Sequence, residues 1–177
     1  TKFTQYYLDT TLENHEDFRE LCHILRSANE QDTIVLHINS GGGDVSIALQ
    51  IMNAIDDCDG MVIGHIESDA HSCASFIFLA CNMWSVSEHS SMLLHTASGG
   101  VFGKVSEMFA SAEHTNKWIN NLCTKVYSGF LSPAELDSML KGQDIYLTAS
   151  EIEERLENLM AYREALPKCK PTLMEPI

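Results

Sequence analysis

The sequence of 177 residues has no Cys-x-x-Cys pair and few cations, with 11 Lys and Arg against 25 Asp and Glu. No apolar run approaches the ~20 residues that a bilayer span requires. Each shortage excludes something. The six cysteines (Cys22, Cys58, Cys73, Cys81, Cys123, Cys169) are scattered, which suits small buried thiols in a reducing compartment rather than a disulfide frame or a cysteine zinc site. A formal net charge of −14 works against phosphate binding, which rests on Lys and Arg, so nucleic acid is not an expected partner. The opening "TKFTQYYLDT" lacks the apolar core of a signal peptide. With no spanning run either, we expect no membrane association and a cytoplasmic chain. No internal repeat or low-complexity segment is present. The length fits one domain, expected over residues 1–166. The final "LPKCKPTLMEPI" is proline-rich and without periodicity, so residues 167–177 are expected to be a disordered tail.

What is present alternates between strand and helix signals. "TIVLHIN" (33–39) is dense in β-branched residues and runs into a glycine turn at 41–43. Val45, Ala48, Leu49, Met52 and Ile55 then come at the spacing of one helical face. "MVIGHIES" (61–68) predicts a second strand, and "CASFIFLAC" (73–81) is apolar on all sides, as a buried helix is. "SMLLH" (91–95) predicts a third strand. A long helix is predicted from Lys104 to Tyr127, ending near Gly129. Ser132-Pro133-Ala134-Glu135 and Thr148-Ala149-Ser150-Glu151 are written as capping boxes, with "DIYLT" as a strand between them. The alternation argues for an α/β layer architecture.

The stretch "DAHSCAS" (69–75) sets a histidine, a serine and a cysteine side by side where a strand hands over to a buried helix. A nucleophile elbow is built this way, with Ser72 at the tip and unpaired N–H groups at the helix start. The Cys73 N–H is one candidate oxyanion donor. Gly43, in the glycine turn at the carboxyl end of the preceding strand, offers a second. A thiolate at Cys73 is a rival nucleophile, although the residue after an elbow tip turns its side chain into the helix packing. A base must arrive from elsewhere in the fold. His95, at the end of the third strand, is a candidate, the alternative being a half-buried strand histidine. His71 adjoins the serine but is expected to point away from it, as a wall of the site. Many acids can orient the imidazole, and Asp144, ahead of "IYLT", is well placed by pattern.

The segments "INSGGGDVSIAL", "SDAHSCASFIFLA", "MLLHTASGGVFGK" and "QDIYLTASE", in this order and at these separations, resemble the proteolytic subunit of the Clp protease. The resemblance runs from about Tyr6 to about Leu159. It implies a crotonase-like spiral of strand-strand-helix units with a protruding handle helix, for which Lys104–Tyr127 is the counterpart. The implied activity is a serine endopeptidase with Ser72 as nucleophile, His95 as general base and acid, and Asp144 as its orienter. The N–H groups of Gly43 and Cys73 form the implied oxyanion hole, and Gly42, Ser98, Gly99 and Gly100 the implied substrate contacts.

The implied substrate is a short peptide or unfolded protein, cut inside a ring homo-oligomer with heptameric rings, two of which pair into a tetradecamer. The implied partner is an ATP-driven unfoldase of the Clp family, so no cofactor and no metal are expected on this chain. The family's axial loop and first helix have no counterpart ahead of Thr1, from which we expect short peptides to be cut and folded proteins not. Gly41 replaces the family's proline, Ala74 a glycine, Thr96-Ala97 a Gln-Pro, and Gln143 an arginine that bridges rings. Its Gly-Leu-Val-Asp signature is missing from "EERLENLM". Two other readings stand beside the peptidase: an inactive or regulatory subunit of a mixed ring, and a crotonase-type acyl-thioester enzyme. The second does not need a serine nucleophile, and the presence of Ser72, His95 and Asp144 together speaks against it.

Overall fold

Strand β1 (Phe3–Leu8) opens the chain, and after a short 3-10 turn come α1 (Arg19–Ser27), β2 (Thr33–Ser40) and α2 (Val45–Asp56). Next are β3 (Met61–His71), α3 (Cys73–Ala80), β4 (Met83–Val86) and β5 (Ser91–Leu94). The long α4 (Val105–Tyr127), α5 (Pro133–Leu140), β6 (Ile145–Thr148) and α6 (Ala149–Ala165) complete the order. This computed structural model describes residues 1–99 and 102–166. The expected tail at 167–177 and the candidate contact Gly100 lie outside the described residues. Among the described residues no helix is long and apolar enough to cross a membrane.

The sheet runs β1-β2-β3-β5-β6, with β4 also paired to β3. All pairings are parallel except β5 with β6. Parallel strands need crossover connections, which the intervening helices supply. One face carries the apolar alternation: Ile34, Leu36 and Ile38 on β2 and Val62 and Ile66 on β3 are fully or almost fully buried, beneath α1, α2 and α3. Gly64 belongs to this face because nothing larger fits, since a Cβ there would lie 2.9 Å from the Phe78 ring. On the opposite face Phe3, Tyr7, Met61 and Met83 are exposed.

Strand β3 is longer than the 61–68 segment predicted from sequence, and its length organises the site. Its first half pairs β4 through Ile63–Ile66, and its last residues, Asp69 to His71, pair β5. Between these halves the register against β2 slips from Ile38↔Ile66 to Ser40↔Ala70. A bulge of this kind bends a strand and re-aims the residues beyond it. Here it swings the end of β3 from β4 toward β5, so no turn intervenes before Ser72. The structure also contains β1, α1 and β4, to which the sequence reading assigns no element. Each is short or weakly apolar, β1 alternating exposed and half-buried residues until Leu8.

Candidate active site

Ser72 stands between the last residue of β3 and the first of α3, at φ 54° and ψ −134°. It is the non-glycine residue with positive φ among those described. Such a conformation costs on the order of 1–3 kcal/mol and persists only where the surroundings enforce it. They do so here from both sides. The Ser72 N–H donates to the Leu93 carbonyl at 2.8 Å, extending the β3–β5 ladder by one bond. The Ser72 carbonyl accepts from the Ser75 N–H at 3.0 Å and from the Ser75 hydroxyl at 2.6 Å. The Ser75 Oγ in turn lies 2.7 Å from the hydroxyl of Tyr127, at the end of α4. Ser75 has one hydroxyl hydrogen, which Ser72 accepts, so Tyr127 donates in this chain. Both side chains are fully buried, and burial pushes the Tyr127 hydroxyl well above its usual range, keeping it a donor.

The same ladder brings in the histidine. His95 comes directly after β5, two residues beyond the Leu93 that holds the Ser72 N–H. Its Nε2 lies 2.8 Å from Ser72 Oγ. His71 turns elsewhere, its Nε2 3.0 Å from Ser91 Oγ and 3.6 Å from Asp69. Asp144 arrives through the antiparallel pairing: Leu94↔Ile145 is the last registered pair of β5 and β6, so Asp144 is next in line opposite His95. The turn before it is set by Gly142 at φ 103° and by the Gln143 N–H donating to Ser138. The Asp144 side chain is exposed, and no hydrogen bond joins it to the His95 ring in this structure.

The glycine turn after β2 packs against the elbow. A Cβ on Gly42 (φ 91°) would lie 2.8 Å from the His71 carbonyl and 2.9 Å from the Ser72 Cβ. Gly43 (φ 144°) is pressed on the other side, where a Cβ would lie 2.4 Å from the Leu12 carbonyl oxygen. Leu12 clamps this turn. Its N–H donates to Gly42 O at 2.9 Å, and its carbonyl accepts from Asp44 N at 2.7 Å. The Gly43 N–H between them, and the Cys73 N–H at the start of α3, donate to no oxygen among the described residues. The Cys73 thiol is buried and directed at the Gly43 carbonyl, 3.4 Å away. Burial raises its pKa, partly opposed by the backbone N–H groups of Gly43 and of Cys73 itself, which lie near the sulfur. Of the candidate substrate contacts, Gly42 lies against Ser72, while Ser98 and Gly99 are exposed in the irregular segment after His95. That segment borders a cleft of about 500 Å³ that includes Thr96, Phe102 and Ile119. A roomier cleft of about 790 Å³, around Gly129, Arg155 and Tyr162, has no serine–histidine pair.

Leu12, Ser75 and Tyr127 are the supporting residues that sequence reasoning does not reach. Ser75 has a faint signal, a hydroxyl three residues beyond an elbow serine. Tyr127 reads only as the last residue of a long predicted helix.

An α/β protein with a mostly parallel sheet and a hydroxyl–imidazole pair at a strand-to-helix corner is the class of molecule on which hydroxyl nucleophiles are mounted. Residues 10–155 match the family model of the Clp protease. The chain belongs to the Clp protease family, and its parallel-rich sheet with flanking helices is the fold of that family's proteolytic subunit. No curated protein matches the sequence.

Proposed function

We propose that the chain is a serine endopeptidase of the Clp type, with Ser72 as nucleophile. The observation that carries this is the contact of 2.8 Å between His95 Nε2 and Ser72 Oγ at a backbone held in a conformation that serine rarely adopts. In the proposed reaction His95 takes the Ser72 proton as the hydroxyl attacks the peptide carbonyl. The oxyanion forms against the unspent N–H groups of Gly43 and Cys73, and His95 then protonates the leaving amine. Asp144 holds the imidazole tautomer that keeps Nε2 free to accept. Asp144 is exposed, and catalytic contacts of this kind often tighten only with substrate bound.

The proposed substrate is a short peptide or an unfolded chain, laid in extended form along Gly42 and the segment from Ser98 to Gly100 and held by backbone pairing. A ring homo-oligomer, heptameric by family likeness, encloses it, and an ATP-driven unfoldase is the proposed supplier of protein substrates. The described cysteines are free, in keeping with a cytoplasmic setting.

Reaction with a fluorophosphonate probe, with peptide hydrolysis measured in parallel, tests the reading. Labelling and hydrolysis that are both lost in Ser72→Ala support it. An unlabelled serine and no hydrolysis in the assembled wild-type protein would favour the second reading, a regulatory subunit of a mixed ring, for which the unbonded Asp144 is the supporting observation.

A further inference from the structure

On the uncovered face of the sheet, far along β3 from Ser72, a row of polar side chains crosses the strands. Tyr7, His37, His65 and Ser85 are successive partners in parallel register on β1, β2, β3 and β4. Glu67 stands one pleat further along β3, on the same face, at the start of the stretch where β3 slips against β2. His37 Nδ1 lies 2.7 Å from Glu67 Oε1, and His65 Nε2 lies 3.7 Å from the same oxygen. One donor atom from each of the three residues falls within 4.8 Å of the other two.

We propose that His37, His65 and Glu67 form a binding site for a divalent transition-metal ion of the zinc class, with the fourth position open to water. Zinc bonds of about 2.0–2.1 Å to nitrogen and oxygen place tetrahedral ligands about 3.3 Å apart. The two separations from Glu67 bracket that value, and all three donor atoms lie within 4.8 Å of one another. Two imidazoles and a carboxylate suit zinc and its neighbours in the first transition row rather than magnesium or calcium, which prefer all-oxygen sites.

The surroundings of the rings favour a metal over a plain ion pair. His37 Nε2 lies 3.1 Å from the Gln5 side-chain oxygen, and the tautomer that donates to this acceptor carries its proton on Nε2. The Nδ1 lone pair then faces Glu67. His65 Nδ1 is held by the Ser85 hydroxyl, which leaves its Nε2 toward Glu67 and 3.3 Å from Ser87 Oγ. Two imidazole nitrogens thus converge on one carboxylate oxygen. A single added proton satisfies one of them, whereas a cation satisfies all three donors. Outer partners such as Gln5 and Ser85 orient ligating histidines in this way. Tyr7, stacked on His37 with ring centroids 4.7 Å apart, fixes the ring plane further. The side chains of both histidines are largely covered while Glu67 is half exposed, which leaves a path for the ion.

The site runs against the sequence expectation of no metal and does not depend on the peptidase reading. Its test is equilibrium dialysis and calorimetry of the full chain with zinc chloride alone, followed by cobalt substitution and visible spectroscopy. The expected result is one ion per chain, with a tetrahedral cobalt spectrum lacking the charge-transfer band of thiolate ligation. His65→Gln and Glu67→Gln each weaken binding more than about 10-fold, and Gln5→Ala weakens it roughly 10-fold through the outer partner. The replaced groups face outward, and circular dichroism confirms that each variant is folded. Absence of saturable binding, a thiolate band, or affinity unchanged in His65→Gln overturns the proposal.

Discussion

Helix α4 is treated by the fold in two different ways along its length. From Ile119 to Tyr127 its inward positions Ile119, Cys123 and Tyr127 are buried, and the last of them donates into the hydroxyl chain that reaches the Ser72 carbonyl. From Val105 to Trp118 no residue is buried, and Val105 and Phe109 are 69% and 74% exposed. A helix of 23 residues is about 35 Å long, more than the remaining core can cover. One end therefore supports the backbone at Ser72, while the other presents apolar side chains suited to a subunit contact. On the proposed reading chemistry and assembly divide one element, and changes at its two ends should be separable by what they move.

The largest expected effect belongs to the chemistry. Asp144→Asn should leave folding and assembly intact and lower peptide turnover by about 10⁴-fold, since an amide favours the wrong imidazole tautomer. Turnover within a few-fold of wild type would assign the orienting role to another acid. Next comes the buried end of α4. Tyr127→Ala empties a fully buried aromatic site and should cost about 3–5 kcal/mol of stability, read by denaturant unfolding. Tyr127→Phe removes only the hydroxyl, leaves Ser75 free to keep its bond to Ser72, and should cost about 0.5–1.5 kcal/mol. Equal losses for the two variants would mean that the hydroxyl chain, and not the ring, holds this end in place.

The same division explains what could be read from the sequence. Ser72 was legible because an elbow is local: a strand, one serine and an all-apolar helix are consecutive letters. The two capping boxes were legible for that reason, and both form, with Glu135 and Glu151 bonded back to the N-cap N–H groups. Strand β4 was not, since four residues with Met83 and Ser85 turned to solvent carry too little pattern. Neither the Tyr127–Ser75 bond nor the His37–His65–Glu67 cluster is written in any window. The first joins residues 52 apart, and the second exists only through the register of two strands, β2 and β3. The resemblance to the Clp family supplied Asp144 before the β5–β6 register did, and register explains why that position, and not a neighbouring acid, stands opposite His95.

A smaller effect separates buried from exposed by pH. Burial raises the Cys81 thiol to about 12 and the Cys123 thiol to about 11. The unfolded chain ionises these groups at ordinary thiol values while the folded chain cannot. Their contribution is therefore complete below the unfolded pKa of about 8.5 and is lost as pH rises toward the folded values, by roughly 1–2 kcal/mol per thiol at pH 10. Unfolding midpoints that stay flat from pH 8 to pH 10.5 would contradict the burial of these sites. At the other end of α4, Phe109→Ser should change the stability of the isolated chain by no more than about 0.5 kcal/mol yet shift sedimentation toward smaller species. Loss of stability with no change in mass would erase the distinction between the two ends.

The smallest expected effect on turnover tests the elbow itself, where Ser72 and Cys73 are rival nucleophiles in sequence. In the structure the serine hydroxyl meets His95, while the thiol is buried against the Gly43 carbonyl. Burial raises its pKa, so the reactive thiolate is scarce at neutral pH. On the proposed reading Cys73 serves through its backbone N–H alone, which alanine also supplies. Cys73→Ala should retain turnover to within a few-fold, at a stability cost of about 1 kcal/mol for the lost sulfur packing. Iodoacetamide should leave the wild-type enzyme active at pH 7. If instead Cys73→Ala is dead, and Ser72→Ala is active and sensitive to alkylation, the thiol leaves its buried position during the reaction and the division of labour at this corner is reversed.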